Sequence, residues 1–218
     1  AFLSSSFATV IMTLWDGVLN APSWYHFTYL AYGWALASGR QTITAYLWSS
    51  GAAQVKHFSR YYAFLGHALY QRRTHLWARV ICAGASLVPA ETVIEIRLDD
   101  ATMKKTGRHI QGAAHYRNGA GTARQESRTL WGLNLVWAIM RIPLQRWPGH
   151  HLSLPIGLEL YHKEPLATTL KVAYRSRSTL ARRIVDHVAT VLPTRAIRVA
   201  TDGVDATQAF FRGLPPHV

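Results

Sequence analysis

The stretch Val93-Ile94-Glu95-Ile96-Arg97-Leu98-Asp99-Asp100 decides how this chain is read. Apolar and polar residues alternate through it, so Ile94, Ile96 and Leu98 line one face of a strand. Asp100 keeps that parity and is directed to the apolar side, where an unpaired carboxylate is costly. Asp99 keeps the parity of Glu95 and Arg97. Two more strands are expected downstream. Residues 129–140 form a nearly continuous apolar run, bounded by Arg128 and Arg141, and predict a strand buried on both faces. Residues 151–161 alternate at Leu152, Leu154, Ile156, Leu158 and Leu160. Pro155 cannot donate a ladder hydrogen bond, which assigns that strand to a sheet edge. Ser178 then reads as a helix N-cap, followed by the stripe Leu180, Ile184, Val188 and Val191 and a stop at Pro193. A short strand over residues 196–201 ends at Asp202. The expected class is α/β: a mixed sheet of three antiparallel strands, a crossover helix, and a fourth strand returning parallel to the first and beside it.

Residues 1–90 have a different texture. Their single acid, Asp16, faces Arg40, Lys56, Arg60, Arg72, Arg73 and Arg79. Stripes at Val10, Leu14, Val18, at Tyr29, Tyr32, Leu36 and at Tyr61, Leu65, Leu69 have helical spacing, with breaks at Pro22, Gly39 and Gly51. The expected organisation is therefore a helical, basic region over 1–90 and an α/β domain over 91–218. The helical region suits contact with DNA phosphates, or serves only as a packing bundle.

Composition narrows the function classes. The 218 residues carry 24 Lys plus Arg against 11 Asp plus Glu, a net charge of +13, with only 16% of residues charged. Scarce acids, not abundant bases, make the imbalance. It excludes an acidic solvating protein and points to a polyanionic partner, nucleic acid or an anionic membrane surface. An apolar share of 49% supports a sizeable core. The one cysteine, Cys82, excludes an intramolecular disulfide and a Cys-rich zinc site, and is expected to be a buried small apolar residue. No signal peptide is read at the start, which lacks a basic n-region. The charge-free run between Asp16 and Arg40 contains Asn20, Pro22, Ser23 and His26, and reads as helices, not a membrane span. Trp131, Trp137 and Trp147 are expected in the core. Gly119-Ala120-Gly121 is not a nucleotide-binding turn, and Ser127 and Ser153 lack a hydrolase frame. His150-His151, and His109 with His115, have no full set of zinc-ligand partners.

The rare acids carry most information. If the first and fourth strands are parallel neighbours, Asp100 and Asp202 emerge at adjacent strand ends, where open sheets collect chemistry. Two close carboxylates repel unless a cation sits between them, and Mg²⁺ accepts a few carboxylates plus waters and phosphate oxygens. A pair of such ions can activate water and stabilise a leaving oxygen in phosphodiester displacement. The alternative is an Asp at a turn or an N-cap, as Asp205 before Ala206 suggests. The glycine-rich stretch over residues 103–128 carries Lys104, Lys105, Arg108, Arg117, Arg124 and Arg128 against Glu126. It is suited to holding phosphates beside the acids, or is a solvated basic loop.

The segment Leu98-Asp99-Asp100-Ala101-Thr102, with Lys104-Lys105-Thr106-Gly107-Arg108-His109, resembles the first motif of bacterial insertion-sequence transposases of the DDE superfamily. Asp202-Gly203-Val204-Asp205-Ala206 resembles the second, although the family often has Arg-Glu where this chain has Gly203-Val204. The resemblance spans roughly the whole chain. It implies an RNase H-like fold, Asp100 and Asp202 as catalytic acids holding two Mg²⁺ (or Mn²⁺) ions, and Thr102 as support. It also implies cleavage and strand transfer at transposon ends. Double-stranded DNA is the expected partner, with no membrane, a homodimer allowed in the DNA complex, and a bacterial cytoplasmic, nucleoid-associated setting. The family's third acid, a Glu on a helix beyond the second Asp, has no counterpart: Glu91, Glu95, Glu126, Glu159 and Glu164 all precede Asp202. The chain thus resembles a truncated transposase, expected to be inactive alone. The competing expectation is a non-catalytic DNA-binding remnant.

Overall fold

The computed structural model describes Trp15 and residues 17–117, 129–202 and 207–218. Val10, Leu14, Arg124, Arg128 and Asp205 lie outside the described residues. The chain divides into two compact units, Ala1–Arg79 and Val80–Val218. The change of texture near residue 90 falls later than this division, because the helix Tyr70–Ser86 contributes its last turns to the second unit.

In the first unit, helices α1 (Ala21–Leu36), α2 (Ile43–Ser49) and α3 (Ser59–Ala63) precede a π-helical segment (Phe64–Leu69) and α4 (Tyr70–Ser86). Asn20 caps α1 by accepting from the Ser23 amide at 3.1 Å, and Pro22 sits in the first turn, where its missing N–H costs nothing. Leu30, Leu47, Ala52, Tyr61 and Phe64 form the core. Gly33 lets α1 and α2 meet, since a Cβ there would lie 2.0 Å from the Tyr46 carbonyl oxygen. The expected stripe Tyr29, Tyr32, Leu36 is not the core face: Tyr32 is 42% and Leu36 59% exposed, while Leu30 and Gly33 are buried. Large apolar residues occur all round α1, so their spacing does not single out one face.

The second unit is built on a mixed sheet. Its strands are β1 (Ile94–Lys104), β2 (Ala114–Arg117), β3 (Thr129–Pro143), β4 (His151–Tyr161) and β5 (Ile197–Ala200). Central β3 pairs antiparallel with β1 on one side and with β2 and β4 on the other. β5 lies parallel to β1, with Ile94 opposite Ile197 and Ile96 opposite Val199, as the crossover pattern predicts. Helices α5 (Glu164–Thr169), α6 (Arg177–Val191) and α7 (Gln208–Phe211) complete the unit.

Several local expectations are corrected. β1 runs on to Lys104, so Asp100 and Thr102 sit inside the strand and not at its end. β2 arises within the stretch read as a basic loop. β3 is fully buried on one face only: Asn134, Val136, Ala138, Met140 and Ile142 are buried and their odd-numbered neighbours half-buried. The cap of α6 is Ser176, whose Oγ accepts from the Thr179 amide at 3.1 Å, not Ser178. The cap of α7 is Thr207. Cys82 is exposed, as are Trp34, Trp48 and Trp147. No helix among the described residues is long and apolar enough to cross a membrane.

Among the described residues β4 pairs with β3 alone, the edge place Pro155 predicts. Its register slips between Ala138 and Ile139, opposite Gly157 and Pro155. This bulge reverses the parity of everything after Ile156. Leu158 is turned out to solvent, and Gly157, Glu159 and Tyr161 share the face of Ala138, Val136 and Asn134. α6 covers that face with Leu180, Ala181, Ile184, Val185 and Val188. It comes so close that a Cβ on Gly157 would lie 2.5 Å from Ile184 Cγ2.

Arg195, just before β5, gathers the preceding connection. Its Nη2 donates to the carbonyls of Pro89 at 2.8 Å and Thr92 at 3.0 Å, and its guanidinium also reaches those of Ala85 and Val88. On the other edge of β5, the Ile197 amide donates to the His217 carbonyl at 2.7 Å.

Candidate metal and phosphate site

The alternation that buries Ile94, Ile96 and Leu98 continues through β1, so Asp100, Thr102 and Lys104 follow on the same face. Pairing then fixes their neighbours. Asp100 lies opposite Val136, which lies opposite Glu159; Thr102 lies opposite Asn134, which lies opposite Tyr161. Two rows of side chains thus cross the sheet beneath the N-terminal turns of α6.

Asn134 is the hub of these rows. It is 1% exposed. Its Nδ2 donates to Asp100 Oδ2 at 2.9 Å and to Thr102 Oγ1 at 3.1 Å. The first residue of α6, Arg177, brings Nε to 3.5 Å from the same Asp100 oxygen, with both side chains partly exposed. Its guanidinium also lies over the Tyr161 ring, 4.9 Å from the centroid. Tyr116 is buried and donates its hydroxyl to the Tyr161 carbonyl at 3.0 Å. Burial pushes the phenols of Tyr116 and Tyr161 above their usual range, so both stay protonated donors at neutral pH. Arg183, one turn and a half along α6, lies 3.7 Å from Glu159.

Asp202 is exposed just past β5. Continuing the β1–β5 register sets it level with Asp99, one residue short of Asp100. The structure therefore brings Asp100 and Thr102 together through Asn134, whereas the same register, continued, gives Asp202 the parity of Asp99 and not that of Asp100. Asp99 faces away, as its parity requires, and its Oδ1 accepts from the Asp100 amide at 2.8 Å. No family model, curated protein or solved structure matches this chain.

Lys104 extends the row of Asp100 and Thr102 and is exposed, as are Arg108 and Arg117. Lys105 is half-buried and its amide donates to the Trp131 carbonyl. Trp131 in turn donates its indole N–H to the Gly107 carbonyl at 2.9 Å, so the turn after β1 is tied to β3. On the opposite face of the sheet, Arg141 Nη1 grips both carboxylate oxygens of Glu95, at 2.9 and 3.0 Å, and holds its carboxyl below the usual range. That pair belongs to the exposed side and not to the candidate site.

The donors available are hard oxygens. Among the described residues no three His, Cys, Asp or Glu side chains converge as a metal group. A cation here would draw on the Asp100 carboxylate, completed by any further acid within reach and by waters and phosphate oxygens. That donor set fits Mg²⁺ or Mn²⁺ and does not fit four-ligand zinc. Asn134 and Arg177 are absent from the sequence expectations. The signal for Asn134 was its isolation as a polar residue in an apolar strand, which implies a buried partner. Arg177 carried no such signal.

Proposed function

We propose that this chain is the catalytic region of a DDE-type DNA transposase with an RNase H-like sheet, acting on double-stranded DNA. The observation that carries the reading is the sheet itself. Among the described residues its order is β4-β3-β1-β5 with β1 and β5 parallel, so Asp100, inside β1, and Asp202, just past β5, lie toward the same end of adjacent strands. The motif likeness around these two acids supports it, as does a net charge of +13 with Lys104, Arg108 and Arg117 exposed. Asp100 and Asp202 would hold Mg²⁺ or Mn²⁺, which supplies charge neutralisation and an activated water for phosphodiester displacement. Thr102 supports Asp100 through their shared partner Asn134. The exposed bases hold phosphates, giving affinity and register and not sequence choice.

A second reading, a DNA-binding remnant without catalysis, is favoured by Arg177, which already sits against Asp100 as a cation. Metal-dependent thermal stabilisation separates the two. A cation that binds only the folded chain at about ten times its Kd stabilises it by roughly 1.4 kcal/mol. Mn²⁺ should raise the melting temperature of the parent, of Asp99→Asn and of Asp205→Asn. It should not raise that of Asp100→Asn or Asp202→Asn. A rise that survives Asp100→Asn sinks the catalytic reading.

A further inference from the structure

Asn134 makes contacts that its packing role does not require. It is a buried polar residue in the middle of the sheet, between Gly132 and Val136 on a face otherwise filled by Val136, Ala138, Met140 and Ile142. Its amide orientation is fixed by chemistry, because a carboxylate can only accept, so nitrogen must face Asp100 Oδ2. Both donors of that nitrogen are used, one on Asp100 and one on Thr102. Its Oδ1, by contrast, is buried with no hydrogen-bond partner among the described residues. An orphaned buried acceptor is a cost that Val or Ala at this position would avoid. Packing alone therefore does not account for Asn. What the residue contributes is the pair of N–H bonds to the two motif side chains.

We propose that Asn134 is a positioning residue that fixes the Asp100 carboxylate, engaging Oδ2 and Thr102 so that Oδ1 is presented to a divalent cation. This rests on the metal reading of Asp100 given above. With Oδ2 shared by Asn134 and Arg177, ligation falls to one oxygen in a set orientation. Monodentate carboxylates of that kind suit the strict octahedron of Mg²⁺ and Mn²⁺. Thr102 accepts from Asn134, and its own hydroxyl proton is then available to donate.

The test titrates Mn²⁺ into the full chain and follows loss of the free-ion electron paramagnetic resonance signal, with the melting temperature in chelator as the measure of fold. Asn134→Ala should weaken Mn²⁺ binding about tenfold while the melting temperature without metal stays near that of the parent. Asn134→Val, which fills the strand position, serves as the second variant if the Ala form does not fold. In an Asp100→Asn background, Asn134→Ala should have no further effect on Mn²⁺, because the two act through one carboxylate. Parent-like Mn²⁺ affinity in Asn134→Ala or Asn134→Val, alongside Asp100-dependent binding by the parent, overturns this inference alone. Absence of Asp100-dependent binding in the parent overturns the metal reading and this inference with it.

Discussion

Replacing Arg177 by Gln should push stability and metal binding in opposite directions. Two opposite charges 3.5 Å apart attract by roughly 2–5 kcal/mol at effective dielectric constants of about 20–40. The net figure is smaller. Asp100 and Arg177 keep 21% and 30% of their side-chain surface in water, and Arg177 Nε makes no hydrogen bond among the described residues. Solvent screening and lost side-chain freedom reduce such a pair to about 1 kcal/mol. Stacking over Tyr161 adds about 0.5–1 kcal/mol. In chelator, Arg177→Gln should therefore be less stable by roughly 1–2 kcal/mol. A divalent cation at Asp100 must overcome the same pair, so its loss should tighten Mn²⁺ binding about fivefold, equivalent to roughly 1 kcal/mol. At saturating Mn²⁺ the variant should recover much of its deficit, with a metal-induced rise in melting temperature about 2–4 °C larger than that of the parent. Arg183→Gln, whose partner is Glu159, is the control and should not change Mn²⁺ affinity. Unchanged or weaker Mn²⁺ binding by Arg177→Gln would refute the argument that the guanidinium occupies the cation's place.

Gly157→Ala should cost about 1–3 kcal/mol, measured by urea unfolding, because its Cβ would crowd Ile184 on α6; a neutral outcome would mean α6 does not press on β4. His26 packs against Tyr61 and Phe64, and burial holds its imidazole below the ordinary value. Unfolded chain then takes up the proton first, so stability should fall as pH drops below about 6.5 until the folded-state value is passed. Melting temperatures between pH 7 and 5 should show this slope, flattened in His26→Phe. Lys104→Ala, Lys105→Ala and Arg108→Ala combined should weaken binding to all DNA sequences alike and make the plot of log affinity against log salt shallower by about 3. An unchanged slope would remove these bases from the phosphate contacts.

Much of the sheet was legible because period-2 alternation is a strong local signal. Ile94, Ile96 and Leu98 named the buried face, and the strand–helix–strand order named the parallel pair. What escaped detection has physical reasons. Ala101-Thr102-Met103-Lys104 continues β1 but alternates in the opposite phase, with apolar Ala101 and Met103 on the face of Asp99, so the sequence pattern ends the strand at its acids. The bulge opposite Ala138 and Ile139 depends on how β4 pairs, which Pro155 alone does not specify. Without it, Leu158 reads as core and Glu159 as solvent-facing. Asn134 vanished into an apolar run because a single polar residue barely alters its average. The helical region was least legible, since aromatic residues distributed around α1 make burial a matter of what packs where, as Gly33 against Tyr46 illustrates.

The guanidinium of Arg195 has a consequence for the two acids. It grips the carbonyls of Pro89 and Thr92, which lead into β1, and is itself the residue that leads into β5 through Ala196. Next to it, the Ile94 amide donates to the Ala196 carbonyl at 2.9 Å, the first bond between the two strands. Asp100 and the end of β5 at Ala200, two residues before Asp202, are thus counted off from a common origin, along parallel strands of equal rise per residue. A disturbance at that origin shifts both strands together and leaves their register intact. Only a slip of one strand against the other changes that register, and that would require breaking the ladder at its first rung.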